Sequence, residues 1–212
     1  MSAFSLKVLA CIAMIFDHTG EALFPGQEWM RYVGRLAFPI YAFLLTEGFI
    51  HTRDVKKYFG RLLVIALLSE VPYDLLGHDT FLYMKSQNAI FTLLTGLLML
   101  IIMKRSDSVI EKAYLLAAAM LIAETFHFNY RYPGILMIFA FYYFRDFPYI
   151  AGINVLADNV RLFTAKMQSV AGLALIPISL YNGKKGPPFK YFFYTFYPLH
   201  LLVIYYLKKK AF

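Results

Sequence analysis

The sequence from Leu6 to Phe24 reads LKVLACIAMIFDHTGEALF. As a helix, these 19 residues would cover about 28 Å, close to the roughly 30 Å hydrocarbon thickness of a bilayer. The outer half of this apolar stretch contains Asp17, His18 and Glu21. Ionisable groups at that depth cost at least about 2.5 kcal/mol each, so we expect them to face protein or water rather than lipid. The stretch therefore predicts a transmembrane helix with a functional site near its outer end.

The spacing of these three residues favours proton chemistry. On a helix Glu21 follows His18 by three residues and Asp17 by four, so it neighbours both. An imidazole between two carboxylates can hold, accept and return a proton. The alternative is a polar cluster that orients and joins helices without taking part in chemistry. A histidine with two carboxylates in one span favours the functional interpretation.

The composition of the whole chain is typical of a membrane protein. Of its 212 residues, 60% are hydrophobic, whereas soluble domains contain about 45–50% apolar residues. Repeated apolar stretches separated by short basic loops predict one all-α, polytopic membrane bundle that occupies residues 1–212 as a single domain. The net charge of +8 is explained by Lys and Arg at helix ends, so it does not predict nucleic-acid binding. The single cysteine, Cys11, excludes a disulfide within the chain, and the sequence contains no metal-ligand pattern.

The hydropathy pattern predicts eight or nine transmembrane helices. Pro39 is expected to kink the second of them. A further segment, Phe147–Ala157, is short for a crossing, and a re-entrant or interfacial position is its alternative. The eight assigned spans are Leu6–Phe24, Tyr32–Ile50, Tyr58–Leu76, Asn88–Met103, Ala113–Phe126, Pro133–Phe144, Leu162–Tyr181 and Phe189–Leu207.

The distribution of positive charge indicates how the chain is oriented. Lys7 and the basic residues between Arg53 and Arg61 favour a cytoplasmic N-terminus. With nine spans Lys184 and Lys185 are cytoplasmic and the C-terminal lysines lie outside, whereas eight spans reverse both assignments. We favour nine, because a loop that binds a cofactor would be cytoplasmic.

Several polar residues inside the other predicted spans are candidates for the same site. Arg35 is the natural counter-ion for a carboxylate of the first helix, because both lie toward the same side of the bilayer; a purely structural pair is the alternative. His200 follows Pro198, and local unwinding there could expose its ring to a cavity. Three further side chains are candidates for a substrate pocket, with interhelical packing as the alternative for the asparagine: Glu47, Glu70 and Asn88.

The connection before the last predicted span differs from the other loops. It contains Asn182, Gly183, Lys184 and Lys185. Glycine frees the backbone, and lysine offers a compact positive charge that suits phosphate. The glycine spacing and the lack of a following Ser or Thr exclude a Walker loop. We expect the segment to bind a phosphate-bearing cofactor, and a basic turn beside anionic lipid is the alternative.

Six blocks of the sequence are similar, in order, to successive blocks of the TraX family of membrane proteins: LKVLACIAMIFDHTG, GRLAFPIYAFLLTEGFIHT, RLLVIALLSEVPYDLL, NAIFTLLTG, IPISLYNGKKG and FYTFYPLHLL. The resemblance implies transfer of an acetyl group to the N-terminal amine of a pilin. It also implies a relation to transmembrane acyltransferases that use acetyl-CoA and need an intramembrane histidine. His18 matches that histidine, with Asp17 as its neighbour and Arg35 as its partner from the next span. Where those relatives are expected to have an acidic residue before a Tyr-Gly turn, this chain has Phe128–Gly134.

These observations predict an acetyltransferase of the bacterial inner membrane. His18 would act as the base or carry the acetyl group itself, with its ring oriented by Asp17 or Glu21. Arg35 and His200 would stabilise developing negative charge. The donor would be acetyl-CoA, and the acceptor a pilin or another surface acceptor such as a glycan or lipid-linked sugar. Two alternatives stay open: a transporter that relays protons through acidic residues, and a membrane scaffold for pilus assembly.

Overall fold

The computed structural model describes residues 1–145 and 170–211, and all regular structure in these ranges is helical. They contain no β-strand, only an isolated backbone bridge between Gln87 and Phe128. The prediction of an all-α fold is confirmed for these residues, whereas the predicted eight or nine membrane spans are not confirmed. A 3₁₀ helix, Val170–Ala174, precedes the eighth of the described α-helices. These helices, α1 to α9, are Ala3–Ala22, Glu28–Gly34, Ala37–His51, Val55–His78, Ala89–Met103, Val109–Thr125, Arg131–Tyr143, Leu175–Ser179 and Lys190–Ala211.

Two segments are long and apolar enough to cross a bilayer, judged by length and composition within the described residues. One is α1, and the other is Glu28–His51, which α2 and α3 form together. Helix α5 is similarly apolar but shorter. The predicted segment Phe147–Ala157 lies outside the described residues, as does the first part of Leu162–Tyr181.

The second predicted span is divided in two at Arg35 and Leu36, where α2 ends and α3 begins. Proline lacks an N–H, and its ring crowds the carbonyl of the residue four positions earlier, which for Pro39 is Arg35. The Arg35 N–H closes α2 by donating to the Arg31 carbonyl at 3.2 Å. The kink expected from Pro39 is thus found about one turn before it, and it turns the Arg35 side chain toward α1.

The last helix packs beside the first and the fourth and runs parallel to both. The ring of Phe4, at the start of α1, lies 5.7 Å from that of Phe193, near the start of α9. Arg61 near the start of α4 donates to the Tyr194 hydroxyl at 3.4 Å. The apolar core fills the space between α1, α3, α5 and α7; its fully buried members include Leu6, Ile40, Leu97, Leu100, Ile135 and Ile138.

Backbone and ion-pair contacts fix which loops share an end of the bundle. The Ala3 N–H donates to the Lys184 carbonyl at 2.8 Å, so the loop before α9 lies against the start of α1. At the opposite end, Lys209 of α9 bonds to Asp79, which follows α4, at 2.9 Å. This bond lowers the pKa of the Asp79 carboxyl below its usual range. The Lys184 loop and the C-terminal lysines therefore lie at opposite ends.

Asn88 ties α4 to the start of α5. Its side-chain oxygen accepts from the Ile90 N–H at 3.0 Å and caps α5, and its amide donates to the Ala66 carbonyl at 2.9 Å. The Glu70 carboxylate accepts from both the amide and the backbone N–H of Asn88. Asn88 is fully buried, so these bonds replace water for its side chain, and both bonds to Glu70 use the same carboxylate oxygen, Oε2.

Asn88→Ala is expected to lower the free energy of unfolding by about 2–4 kcal/mol. Loss of the helix cap accounts for about 1 kcal/mol, and loss of the amide that donates to Glu70 and to the Ala66 carbonyl for about 1–3 kcal/mol, while the backbone N–H of residue 88 still donates to Glu70. The measurement is thermal unfolding of the purified protein in detergent. Ser108→Ala is the matched control, because Ser108 caps α6 through Glu111 N–H without holding a buried carboxylate. Equal losses for the two variants would contradict the role given to Glu70.

Candidate active site

A cavity of about 910 Å³ lies between the first and last helices. Helices α1, α3, α4 and α9 and the loop before α9 supply most of its wall. Toward the loop the wall includes Lys7 and Lys185, and farther along it includes Asp17, His18 and Arg35. Lys7 and His18 lie on the same helix, about 16 Å apart along its axis. Four of the five predicted catalytic residues thus line the same space as Lys185, whereas His200 lies behind His18 and is not in the cavity wall.

His18 and His200 form the centre of the site. The Nδ1 atom of His18 lies 2.8 Å from the Nε2 atom of His200, a hydrogen-bond distance between side chains on α1 and α9. The two ring centroids are 4.9 Å apart. The structure thus brings the two predicted histidines into direct contact, a bond that the sequence alone does not indicate.

His200 is held on its other side by its own helix. Its Nδ1 lies 2.9 Å from the Phe196 carbonyl oxygen. The Phe196 ring stacks on the imidazole with centroids 4.7 Å apart and planes 8° from parallel. Pro198 lies between these two residues and removes one backbone hydrogen bond of the helix. The His200 ring, with 9% of its residue surface exposed, is therefore fixed before any ligand binds.

The carboxylates of α1 pair with arginines rather than with the imidazole. Asp17 Oδ1 lies 3.5 Å from Arg31 Nε and 3.9 Å from Arg35, and Glu21 contacts Arg31 directly. The predicted Asp17–Arg35 pair is thus present. The prediction that Asp17 or Glu21 orients the His18 ring does not agree with the structure, because His200 occupies that position.

Arg31 is the member of this cluster that sequence reasoning missed. The second predicted span begins only at Tyr32, but Arg31 lies on α2 and its side chain contacts both carboxylates. The available signal is its spacing: Arg31 precedes Arg35 by four residues, so the two face the same side of a helix. Tyr130 completes the cluster by accepting a hydrogen bond from Arg35 and stacking on Phe38 with centroids 3.6 Å apart.

Gly34 allows α2 to approach α1 at this cluster. A Cβ atom at this position would overlap the Asp17 side chain. Gly34 is buried, and Asp17 and Arg35 each have 13% of their side-chain surface exposed. The close approach is what places the arginines of α2 against the carboxylates of α1.

Only one of the three predicted substrate-pocket residues lies in the cavity wall. Glu47 lines the cavity, and its carboxylate pairs with Arg145 at 3.1 Å and with His51 at 3.5 Å. Glu70 and Asn88 are not in the cavity wall and bond to each other between α4 and α5. The assignment of these two to a pocket is therefore incorrect, and the packing alternative describes them.

Only two of the four predicted cofactor-binding residues lie in the cavity wall. Gly183 and Lys185 line the cavity, whereas Asn182 and Lys184 do not. The Asn182 side chain instead accepts from the Lys184 N–H at 3.1 Å and shapes the turn. Gly183 has a φ of 74°, in the left-handed region that glycine adopts without strain. Lys185 is thus the lysine of this loop that faces the cavity.

Comparisons with known proteins agree with the resemblance of the sequence blocks. The family described as TraX protein matches residues 2–208. The chain is 34% identical over 232 aligned positions to the "Probable fimbrial assembly protein FimC, serogroup H1" of Dichelobacter nodosus, covering 96% of this chain and 94% of that protein. An uncharacterized protein of Rickettsia prowazekii (strain Madrid E), RP591, is 46% identical over 44 residues, covering 21% of this chain and 18% of that protein. No solved structure matches the chain. Since the family match extends over nearly the whole sequence, the chain belongs to the TraX family.

Proposed function

We propose that this protein is an integral-membrane acetyltransferase that transfers an acetyl group from acetyl-CoA to the N-terminal amine of a pilin. The observation that carries the proposal is the His18–His200 hydrogen bond beside a large cavity. A paired imidazole facing a space of about 910 Å³ has the position of a general base in a ligand site. The Dichelobacter relative is named as a probable fimbrial assembly protein, which supports a pilin as acceptor.

The proposed setting is the bacterial inner membrane, with a cytoplasmic N-terminus. The start of α1 and the Lys184 loop share one end of the bundle, and Lys209 lies at the other. A chain whose N- and C-terminal ends lie on opposite sides crosses the bilayer an odd number of times. Of the two predicted counts, this arrangement supports nine. The cavity then has its basic end at the cytoplasm, where acetyl-CoA is available.

The reaction uses His18 as the base. The neutral acceptor amine attacks the thioester carbonyl carbon, and His18 removes one proton from the amine nitrogen as the C–N bond forms. The C–S bond then breaks, CoA leaves as a thiolate, and the proton held by His18 neutralises it. Arg35 supplies positive charge for the oxyanion that forms in between. Asp17 and Arg31 hold the guanidinium of Arg35 in place through the ion-pair cluster of α1 and α2.

The cytoplasmic end of the cavity has the charge that a donor with phosphate groups needs. Lys7, Arg61 and Lys185 come from α1, α4 and the loop before α9, and all three line the cavity. Lys7 also lies 5.4 Å from the centroid of the Phe193 ring, so a cation and an aromatic face occur together. These side chains would hold the phosphates by charge-assisted hydrogen bonds.

Lys185→Gln is expected to raise the KM for acetyl-CoA by about 5–10-fold, because one charge-assisted contact contributes about 1.5 kcal/mol or less when partly solvated. Lys184→Gln is the matched control, since this neighbouring lysine lies outside the cavity wall. The measurement is initial rate against acetyl-CoA concentration in proteoliposomes. If Lys184→Gln raised the KM more than Lys185→Gln, the proposed position of acetyl-CoA beside Lys185 would be contradicted.

The proposed function is tested on the acceptor itself. Pilin purified from cells with the gene is expected to carry an acetyl-sized mass increase on its N-terminal peptide, and pilin from cells without the gene to lack it. Purified protein with acetyl-CoA and unmodified pilin should restore the modification. If pilin has the same mass in both strains and a surface glycan loses its acetyl group without the gene, the acceptor is the glycan rather than pilin. If deletion of the gene removes acetyl groups from neither pilin nor glycan, the proposed transferase function is wrong.

The structure favours this reaction over a proton relay through the acidic residues. Glu47 pairs with Arg145, Glu70 with Asn88, and Glu124 with Arg131. These partners lie on different helices or loops, so within the described residues the carboxylates form separate pairs rather than one path. Proton flux without any use of acetyl-CoA would nevertheless support the relay.

A further inference from the structure

The bond between His18 and His200 contains one hydrogen, and the structure determines which ring supplies it. A neutral imidazole has one N–H and one bare nitrogen, so each ring can donate from one atom and accept at the other. Two bare nitrogens would repel each other at 2.8 Å, as would two N–H groups. The direction of the bond therefore depends on what the second nitrogen of each ring contacts.

The Phe196 carbonyl sets the state of His200. A carbonyl oxygen only accepts, so the His200 Nδ1 atom, 2.9 Å away, carries the hydrogen. In the neutral ring His200 Nε2 is then bare and must accept. His18 Nδ1 consequently donates, and the lone pair of His18 lies on Nε2.

The second nitrogen of His18 is the one available to a ligand. Within the described part of the chain, His18 Nε2 has no hydrogen-bond partner, and the ring lines the cavity. The two carboxylates that could have oriented this ring, Asp17 and Glu21, pair with arginines instead. His200 is thus the group that fixes the tautomer.

We propose that His200 is a positioning residue, which fixes His18 as the Nδ1–H tautomer and directs the basic Nε2 atom into the cavity. This inference rests on the proposed function and gives His200 a role other than stabilising negative charge. The hydrogen-bonded series runs from His18 through His200 to the Phe196 carbonyl, and both imidazoles are neutral. A neutral partner orients the base without placing another charge in a low-dielectric site, which would be costly there. Stacking on Phe196 prevents the His200 ring from turning over.

Two substitutions at position 200 test separately the two hydrogen bonds of the His200 ring, one to His18 and one to the Phe196 carbonyl. Glutamine can place its side-chain oxygen where Nε2 lies, so His200→Gln retains an acceptor for His18. Asparagine is shorter and reaches only the Nδ1 position, so His200→Asn retains the bond to Phe196 and loses the one to His18. We expect His200→Asn to lower kcat by about 10²-fold, the lower limit for a general base, with the KM for acetyl-CoA unchanged. His200→Gln is expected to stay within about 10-fold of wild type.

The tautomer is measured independently of activity by ¹⁵N NMR of histidine-labelled protein, which has five histidines. His18 is expected to show a protonated Nδ1 and a bare Nε2 in wild type and His200→Gln, and a mixture in His200→Asn. Retention of the other histidine signals establishes that each variant is folded.

The outcomes distinguish the two proposals. A wild-type spectrum with His18 protonated at Nε2 would overturn the positioning role whatever the activity. An active enzyme that depends on His18 but is unaffected by His200→Asn would do the same. Absence of acetyl transfer together with the expected wild-type tautomer would support the bonding assignment while overturning the transferase.

Discussion

Replacing His18 with alanine is expected to lower kcat for acetyl transfer by about 10²–10⁴-fold, the factor that a positioned general base contributes. Alanine removes the atom that takes the acceptor proton and leaves His200 without its donor. If His18 instead carries the acetyl group as a covalent intermediate, the loss lies at the upper end of this range. The measurement is acetylation of pilin by purified protein in proteoliposomes, followed by intact mass over time.

His127→Asn is the matched control for the His18 variant. His127 is exposed and lies in the turn after α6, where its φ is 53°. Asparagine tolerates this left-handed backbone, so the substitution should leave the fold unchanged. We expect this variant to transfer acetyl groups at the wild-type rate. Full activity of a folded His18→Ala protein would remove the basis of the transferase proposal.

Gly34→Ala is expected to destabilise the protein and to disorganise the site, because the added methyl group would occupy space filled by the Asp17 side chain. Overpacking of this kind costs about 1–3 kcal/mol when the neighbour can shift. Here the neighbour is held by Arg31 and Arg35, so the shift would also pull the ion-pair cluster away from its arrangement. We expect a lower midpoint of thermal unfolding and at least about 10-fold slower acetyl transfer.

Gly60→Ala is the control for this glycine. Gly60 lies on α4, and a Cβ atom there would have no neighbour within 4 Å. Since alanine favours a helix over glycine by up to about 1 kcal/mol, this variant should be at least as stable as wild type. Equal stability and activity of the two variants would show that α1 and α2 do not depend on the close approach at Gly34.

The helix positions could largely be predicted because local signals mark them. Asn88 caps α5, and the apolar run after it ends at Lys104 and Arg105, so the predicted bounds Asn88–Met103 differ from α5 by one residue. The position at which the second span divides into α2 and α3 was harder to predict from the sequence. Pro39 predicts a disturbance, but only the structure locates it at Arg35 and Leu36.

The sequence indicated several members of the candidate site and the Asp17–Arg35 pair, but it did not indicate Arg31 or the bond between His18 and His200. A charged residue in an apolar span indicates that it has a partner, which is why Asp17, His18 and Arg35 could be selected. Which partner each one takes depends on how α1 packs against α2 and α9, and spacing within one helix contains no such information. His18 therefore bonds to His200 rather than to the carboxylate one turn away.

The histidine pair also has a consequence for biosynthesis. His18 and His200 are 182 residues apart, at opposite ends of the polypeptide. At a translation rate of about 5–20 residues per second, roughly 10–40 s separate the emergence of the two from the ribosome. Until the last helix is inserted, His18 lacks its hydrogen-bond partner and the cavity lacks the part of its wall that α9 supplies. Under the proposed function, we therefore expect a product truncated before α9 to lack acetyl-transfer activity.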